Sequence, residues 1–176
     1  MKIENILQAT IIKKPWEHAV IDNLVDPLLL WEELPNWLNV LSENKNKILE
    51  KYGRYRNKKD KTWITWGIPI QSPGDEYPVH DDHYTKLWSL TIYLFPKSSS
   101  GTLLFDEDRK FTKEVKWKQG RALAFSCDPK GKKSWHRYHN NTNQFRTTMV
   151  VNIRTQPQNE WGIETVKDSY LHIIKE

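Results

Sequence analysis

From Thr62 onward the chain is cut into short strand-like runs, and this texture limits its fold more than any other feature. The runs cover 63–70, 87–95, 102–105, 122–126 and 147–153. They are rich in β-branched and aromatic residues and are separated by Pro, Gly, Ser, Asn and Asp, which interrupt strands and favour turns. Many short strands joined by such turns predict an antiparallel double sheet or barrel. The upstream third reads differently. A short strand is expected at 19–21, after which Asp26-Pro27 reads as a helix start, with Asp as cap and Pro at the first helical position. One helix is predicted over 28–34, ending before Pro35. A second, amphipathic helix is predicted over 36–51, with Trp37, Leu38, Leu41, Ile48 and Leu49 on its apolar side and Gly53 beyond its end. The tail at 163–174 suits either a helix or a strand. The fold class expected is α+β, mainly β, with the N-terminal helices packed on one sheet.

At 176 residues the chain is expected to form a single domain, 1–176. Within it, 1–60 supplies a strand and supporting helices, 61–155 the β core, and 156–176 a C-terminal extension. Hydrophobic content of 38% with nine Trp argues for a packed core rather than disorder. No apolar run approaches the roughly 20 residues that cross a bilayer, and the N-terminus lacks a signal-peptide pattern. A cytoplasmic protein without a membrane partner is expected. Cys127 is the lone cysteine, which fits a reducing compartment and reads as a small buried hydrophobe. The net charge is +5, and much of the excess lies in the basic runs at 51–59 and 130–133. These suit solvated loops, the favoured reading, or a rim for an anionic polymer or acidic protein surface.

The chemistry-bearing residues fall on the β part. His80 and Asp82 stand two apart in PGDEYPVHDDHY, and on a strand residues i and i+2 share a face. They can therefore hold one ion together, whereas Asp81 and His83 have the wrong parity. A further imidazole from a neighbouring strand would complete two histidines and one carboxylate, the ligand set of non-haem Fe(II) oxygenases. SWHRYHNN offers His136 and His139. Arg146 lies ten residues after His136, a natural hairpin length, with Asn-Asn-Thr-Asn between them for the turn. This places His136 inside the strand and His139 near the turn, so His136 is chosen. Arg146 and Thr148, again i and i+2, then point into the same space. There a guanidinium and a hydroxyl can bind the far carboxylate of a keto acid.

In these elements the chain resembles the 2-oxoglutarate and Fe(II)-dependent dioxygenase superfamily, in its small prolyl-4-hydroxylase-like branch. KKPWEHAVIDNLVDP is similar to the branch's opening strand and turn, and PGDEYPVHDD to its Pro-Gly-Asp…His-x-Asp element. WSLTIYLFPKSSSGTLLFDED and VKWKQGRALAFS are similar to the strands that follow, and His136 and Arg146 stand at the family's interval. Ser100-Gly101 departs from the two glycines of many members. The resemblance implies a distorted double-stranded β-helix (jelly roll) with Fe(II) bound by His80, Asp82 and His136. It implies 2-oxoglutarate as cosubstrate, held by Arg146 and Thr148, and O2 as oxidant. Tyr93 falls where several members carry an aromatic hydroxyl near the cosubstrate, and a core aromatic suits the position equally well. The reaction implied is hydroxylation of an unactivated C–H bond with succinate and CO2 as co-products.

The resemblance favours a prolyl or other residue of a protein or peptide as substrate; an amino acid, sugar or nucleobase also fits the chemistry. Trp66, Tyr77, Tyr84, Trp88 and Trp135, with the run at 51–59, are candidates for the pocket rim. Two other classes are a non-catalytic metal-binding jelly roll, which usually carries a His-x-His pair missing here, and a nucleic-acid-binding β-domain, which is not favoured.

Overall fold

The computed structural model describes residues 2–53, 61–127 and 133–155. The predicted tail element at 163–174 and most of both basic runs lie outside the described residues. In chain order the elements are α1 (Ile3–Gln8), β1 (His18–Ile21), α2 (Leu30–Lys51), β2 (Trp63–Gly67), β3 (Ile70–Gln71) and β4 (Glu76–His80). They continue with β5 (Lys86–Phe95), β6 (Thr102–Phe105), β7 (Phe111–Val115), β8 (Ala122–Ser126), β9 (His136–His139) and β10 (Arg146–Arg154). A major sheet runs in the order β1-β8-β5-β10-β2, with β3 also on β10, and a minor sheet runs β4-β9-β6-β7. Every pairing between these strands is antiparallel. The result is a β-sandwich with both helices on the outer face of the major sheet.

The major sheet is buried on both faces, so residues of both parities along β5 and β10 are mostly buried, Thr147, Thr148 and Asn152 included. Trp88, Leu90, Ile92 and Leu94 of β5, with Met149, Val151 and Ile153 of β10, pack against Leu30, Leu34, Trp37, Leu41, Ile48 and Leu49 of α2. The opposite face meets the minor sheet through Tyr93, Leu104, Val115, Leu123 and Phe125. Among the described residues no helix is long and apolar enough to cross a membrane.

The helical region departs from the sequence expectation. In place of two helices broken at Pro35, α2 is one helix of 22 residues with Pro35 inside it. Interior proline costs about 3 kcal/mol. Leu30, Leu34 and Trp37 on either side of it are almost fully buried, and each contributes roughly 1.5–3 kcal/mol, so burial outweighs the break. Asp26 also differs from its expected role as helix cap. Its Oδ1 accepts the Leu28 N–H at 3.0 Å in a turn, and the helix begins later, with no side-chain cap at Leu29. The predicted strand at 63–70 is divided, because Pro69 has no N–H for the ladder. β2 and β3 both lie along β10, and the Pro69 carbonyl accepts the Thr148 N–H at 3.3 Å. Helix α1 has no counterpart among the elements expected from the sequence. This helix is too short to form alone, and it is held by burial of Ile3 and Ile6.

Candidate metal centre and carboxylate pocket

His80 ends β4 and His136 begins β9, and the two residues are paired across the minor sheet. Their rings lie 4.2 Å apart. Asp82 follows two residues after His80, just past the end of the strand. Among the described residues these three make up the one group of three potential metal ligands, with ligand atoms within 4.8 Å of one another. His83 lies outside this group and is engaged with Thr85 Oγ1 at 2.9 Å. His139, which alternates with Tyr138 along β9, also lies outside it.

Hydrogen bonding fixes how the imidazoles present themselves. Nδ1 of His80 is 3.0 Å from the Pro78 carbonyl oxygen, and Nδ1 of His136 is 2.7 Å from that of Ser134. A carbonyl only accepts, so each Nδ1 carries the proton and each Nε2 keeps a free lone pair, the usual arrangement behind a metal-bound histidine. Burial pulls His136 down to about 4, with Asp82 opposing, so this imidazole is neutral at physiological pH. Burial alone would raise Asp82. Lys86, His136 and the hydrogen bonds from Lys86 and Ser89 outweigh it and hold the carboxyl at about 2. Lys86 Nζ lies 2.5 Å from Asp82 Oδ1, and the Ser89 hydroxyl donates to Oδ2 at 2.6 Å. Ser89 Oγ also lies 2.8 Å from Asn152 Oδ1 and 3.4 Å from the buried Cys127 thiol. Two imidazoles held through Nδ1 and one ionised carboxylate suit a divalent first-row metal, Fe(II) among them.

Arg146 reaches the inner face by a route the sequence reading did not foresee. A hairpin was expected between His136 and Arg146. Among the described residues β9 pairs only with β4 and β6, and β10 only with β2, β3 and β5. The six-residue connection, 140–145, crosses from the minor to the major sheet, because β9 is only four residues long and both its edges are occupied. His136 is thus the first residue of its strand rather than an interior one. Arg146 is 1% exposed. Its Nη1 donates to Gln71 Oε1, while Nε and Nη2 are buried without a partner. Tyr93, Trp117 and Tyr138 surround the guanidinium, at 5.9, 4.8 and 5.1 Å from their ring centres. Burial pulls this guanidinium below its ordinary value, with Tyr93 and Tyr138 opposing. Two aligned, unused N–H donors on a buried cation form a fork that fits a carboxylate. Thr148 lies opposite Tyr93 on the neighbouring strand. The Tyr93 hydroxyl donates to Thr102 Oγ1 at 2.8 Å, and its ring stacks on Trp117 at 4.6 Å. Tyr138 links the two halves of the site, its ring 6.5 Å from that of His80.

The rim residues divide. Tyr77 is 46% exposed and stacks on Tyr138 at 5.2 Å, beside His80. Tyr84 is exposed, and Trp135 lies beneath Arg109 at 4.0 Å. Trp66 and Trp88 belong instead to the helix-side core and cannot line the pocket. Their alternation along β2 and β5 turns them away from the minor sheet.

Known structures share this arrangement of sheets. The chain aligns with a Pseudomonas putida prolyl-4-hydroxylase at a TM-score of 0.57 and 11% identity, over 80% of this chain and 88% of that one. It aligns with the viral collagen prolyl hydroxylase of Paramecium Bursaria Chlorella virus-1, solved as a 2OG complex, at 0.52 and 18% identity, over 80% and 96%. The chain has the prolyl-hydroxylase fold. Its sequence matches no protein-family model and no curated protein. Within the prolyl-hydroxylase fold, the missed positions include Gln71, Ser89, Trp117 and Asn152. Ser89 had a faint signal, as a polar residue in the apolar run of β5; the other three had none.

Proposed function

We propose that this protein is an Fe(II)- and 2-oxoglutarate-dependent dioxygenase built on a distorted double-stranded β-helix. Its substrate is a prolyl or other residue of a protein or peptide. One observation carries the reading: the His80, Asp82 and His136 ligand cluster shares the space between the sheets with a buried arginine that has two unused N–H groups. A structural arginine would be paired, since leaving its donors buried and unsatisfied costs free energy.

When bound, Fe(II) with 2-oxoglutarate and O2 supplies decarboxylation of the keto acid to succinate and CO2, coupled to hydroxylation of the substrate. The chain's residues bind, orient and exclude water. His80 and His136 keep their Nδ1 protons on the Pro78 and Ser134 carbonyls and offer Nε2 to the metal. Ser89 orients the Asp82 carboxylate, and Lys86 keeps it ionised until a metal takes its place. Arg146 takes the distal carboxylate of 2-oxoglutarate through Nε–H and Nη2–H, while Gln71 steadies the third nitrogen. Tyr93, Trp117 and Tyr138 keep water from that charge pair, strengthening it. At the mouth, the stacked Tyr77 and Tyr138 rings offer a flat apolar face beside His80 that suits a pyrrolidine ring or a peptide plane. The prolyl hydroxylases among the similar structures support a peptide substrate.

The test is release of succinate from 2-oxoglutarate by the Fe(II)-loaded protein, with mass spectrometry of a proline-containing peptide library for one added oxygen. Iron-dependent succinate with a hydroxylated peptide is the expected result. No iron-dependent turnover, with or without peptide, would sink the proposal.

A further inference from the structure

Asp81, between two candidate ligands, faces away from them and is only 12% exposed. Its Oδ1 accepts two hydrogen bonds from a single residue: the Ser134 backbone N–H at 2.9 Å and the Ser134 hydroxyl at 2.8 Å. Its Oδ2 lies 3.3 Å from Lys133 Nζ. Ser134 is itself 1% exposed, and its carbonyl receives the Nδ1–H of His136 at 2.7 Å. A continuous chain of hydrogen bonds thus runs from the turn that bears His80 and Asp82 to the imidazole of His136. Sheet pairing does not make this link at Asp81 and Ser134, because both lie beyond their strands: β4 ends at His80 and β9 begins at His136.

We propose that Asp81 is a positioning residue for the metal centre, acting through Ser134 to hold the tautomer and orientation of His136. This rests on the metal-site reading of His80, Asp82 and His136. Without Asp81, two buried Ser134 donors lose their acceptor. Ser134 then turns to find new partners, and its carbonyl leaves the line of the His136 Nδ1–H. The imidazole is released to rotate or to place its proton on Nε2, the atom a metal needs bare. Partners in this position behind a metal-bound histidine typically account for 10–100-fold in metal affinity. Asparagine keeps an acceptor oxygen of the same reach, so Asp81→Asn preserves both bonds to Ser134, and alanine preserves neither.

Two readouts on the full chain test this. The first is the nitrogen NMR signals of the His136 ring in metal-free protein. The second is Co(II) affinity, followed by visible absorption. In Asp81→Ala we expect mixed His136 tautomers and a loss of Co(II) affinity of about 10–100-fold. In Asp81→Asn we expect the wild-type tautomer and near wild-type affinity. Ser134→Ala keeps the carbonyl but loses one bond to Asp81. It should weaken Co(II) by about two- to tenfold, and it decides the matter if Asp81→Ala does not fold. Wild-type tautomer and affinity in Asp81→Ala, or in Ser134→Ala when the former is unfolded, overturn the proposal, whatever the change in thermal stability. If wild-type protein binds no Co(II) while the His136 tautomer still depends on Asp81, the metal reading falls and the positioning role stands.

Discussion

The ammonium of Lys86 lies 2.5 Å from the Asp82 carboxylate, on the oxygen that Ser89 leaves open. A positive charge of the chain's own thus stands beside the ligand cluster and compensates a carboxylate that is only 6% exposed. A divalent ion arriving at Asp82 must displace or share this partner. Lys86→Met is therefore expected to tighten Co(II) binding by about tenfold, or ~1.4 kcal/mol. In metal-free protein the same change strands a buried carboxylate and should cost about 3 kcal/mol of stability. Added metal should restore that stability. Calorimetric titration and denaturant melts with and without Co(II) measure both. Weaker metal binding in the variant would show that Lys86 supports the site and does not compete for it.

On the proposed function, Arg146→Ala removes the buried fork and leaves the 2-oxoglutarate carboxylate without its partner. Truncating one side of such a pair costs roughly 2–5 kcal/mol, so the KM for 2-oxoglutarate should rise at least about 30-fold while metal affinity stays near wild type. Arg146→Lys keeps the charge without the planar fork and should fall between them. An unchanged KM in Arg146→Ala would remove this residue from the cosubstrate site.

His18 gives a pH signature away from the ligands. It is fully buried, its Nδ1 bonds the Trp16 carbonyl at 2.8 Å, and its Nε2 has no partner. Burial, opposed by that carbonyl, lowers it from 6.5 to about 4. The folded state therefore resists a proton that the unfolded chain accepts. Stability is fully present above pH 6.5 and is lost as pH falls towards 4, by about 3 kcal/mol for this group. His136 acts in the same direction. Urea melts of metal-free protein between pH 5 and 6 should show uptake of about two protons on unfolding, and His18→Phe should reduce that to about one. An unchanged slope in the variant would mean that His18 is protonated in the fold.

Gly101 starts the turn into β6, and a Cβ there would fall on the Val115 carbonyl oxygen. Gly101→Ala is expected to destabilise by about 1–3 kcal/mol. Gly67→Ala on β2 meets nothing within 4 Å and should be close to neutral. Chemical denaturation of the pair checks this, and equal effects would refute the steric account.

What the sequence made legible was mostly local. The runs at 102–105 and 122–126 coincide with β6 and β8, short apolar stretches with Gly101 and Asp106 around the first and Gly120 and Asp128-Pro129 close to the second. The grouping of His80 with Asp82 followed from spacing, although Asp82 lies past the end of its strand. Long-range relations were harder to read. The path from His136 to Arg146 is a crossover between sheets, since strand partners depend on edges that ten residues of sequence do not describe. Pro35 misled because an apolar face that continues on both sides of it is a tertiary fact. Gln71 and Trp117 carry no spacing signal, since only the folded sheets bring them to Arg146.

The crossover at 140–145 has a mechanical consequence. His80, Asp82 and His136 are carried by the minor sheet and its adjoining turn, while Arg146 rides on the major sheet. On the proposed function, the span between ion and anchor is a gauge whose two jaws belong to separate layers, with Phe125 and Leu104 in the core between them. Slimming Leu104 would then retune which keto diacid length fits, whereas Phe125 also packs on the His136 ring at 5.2 Å, so slimming it would loosen that imidazole as well.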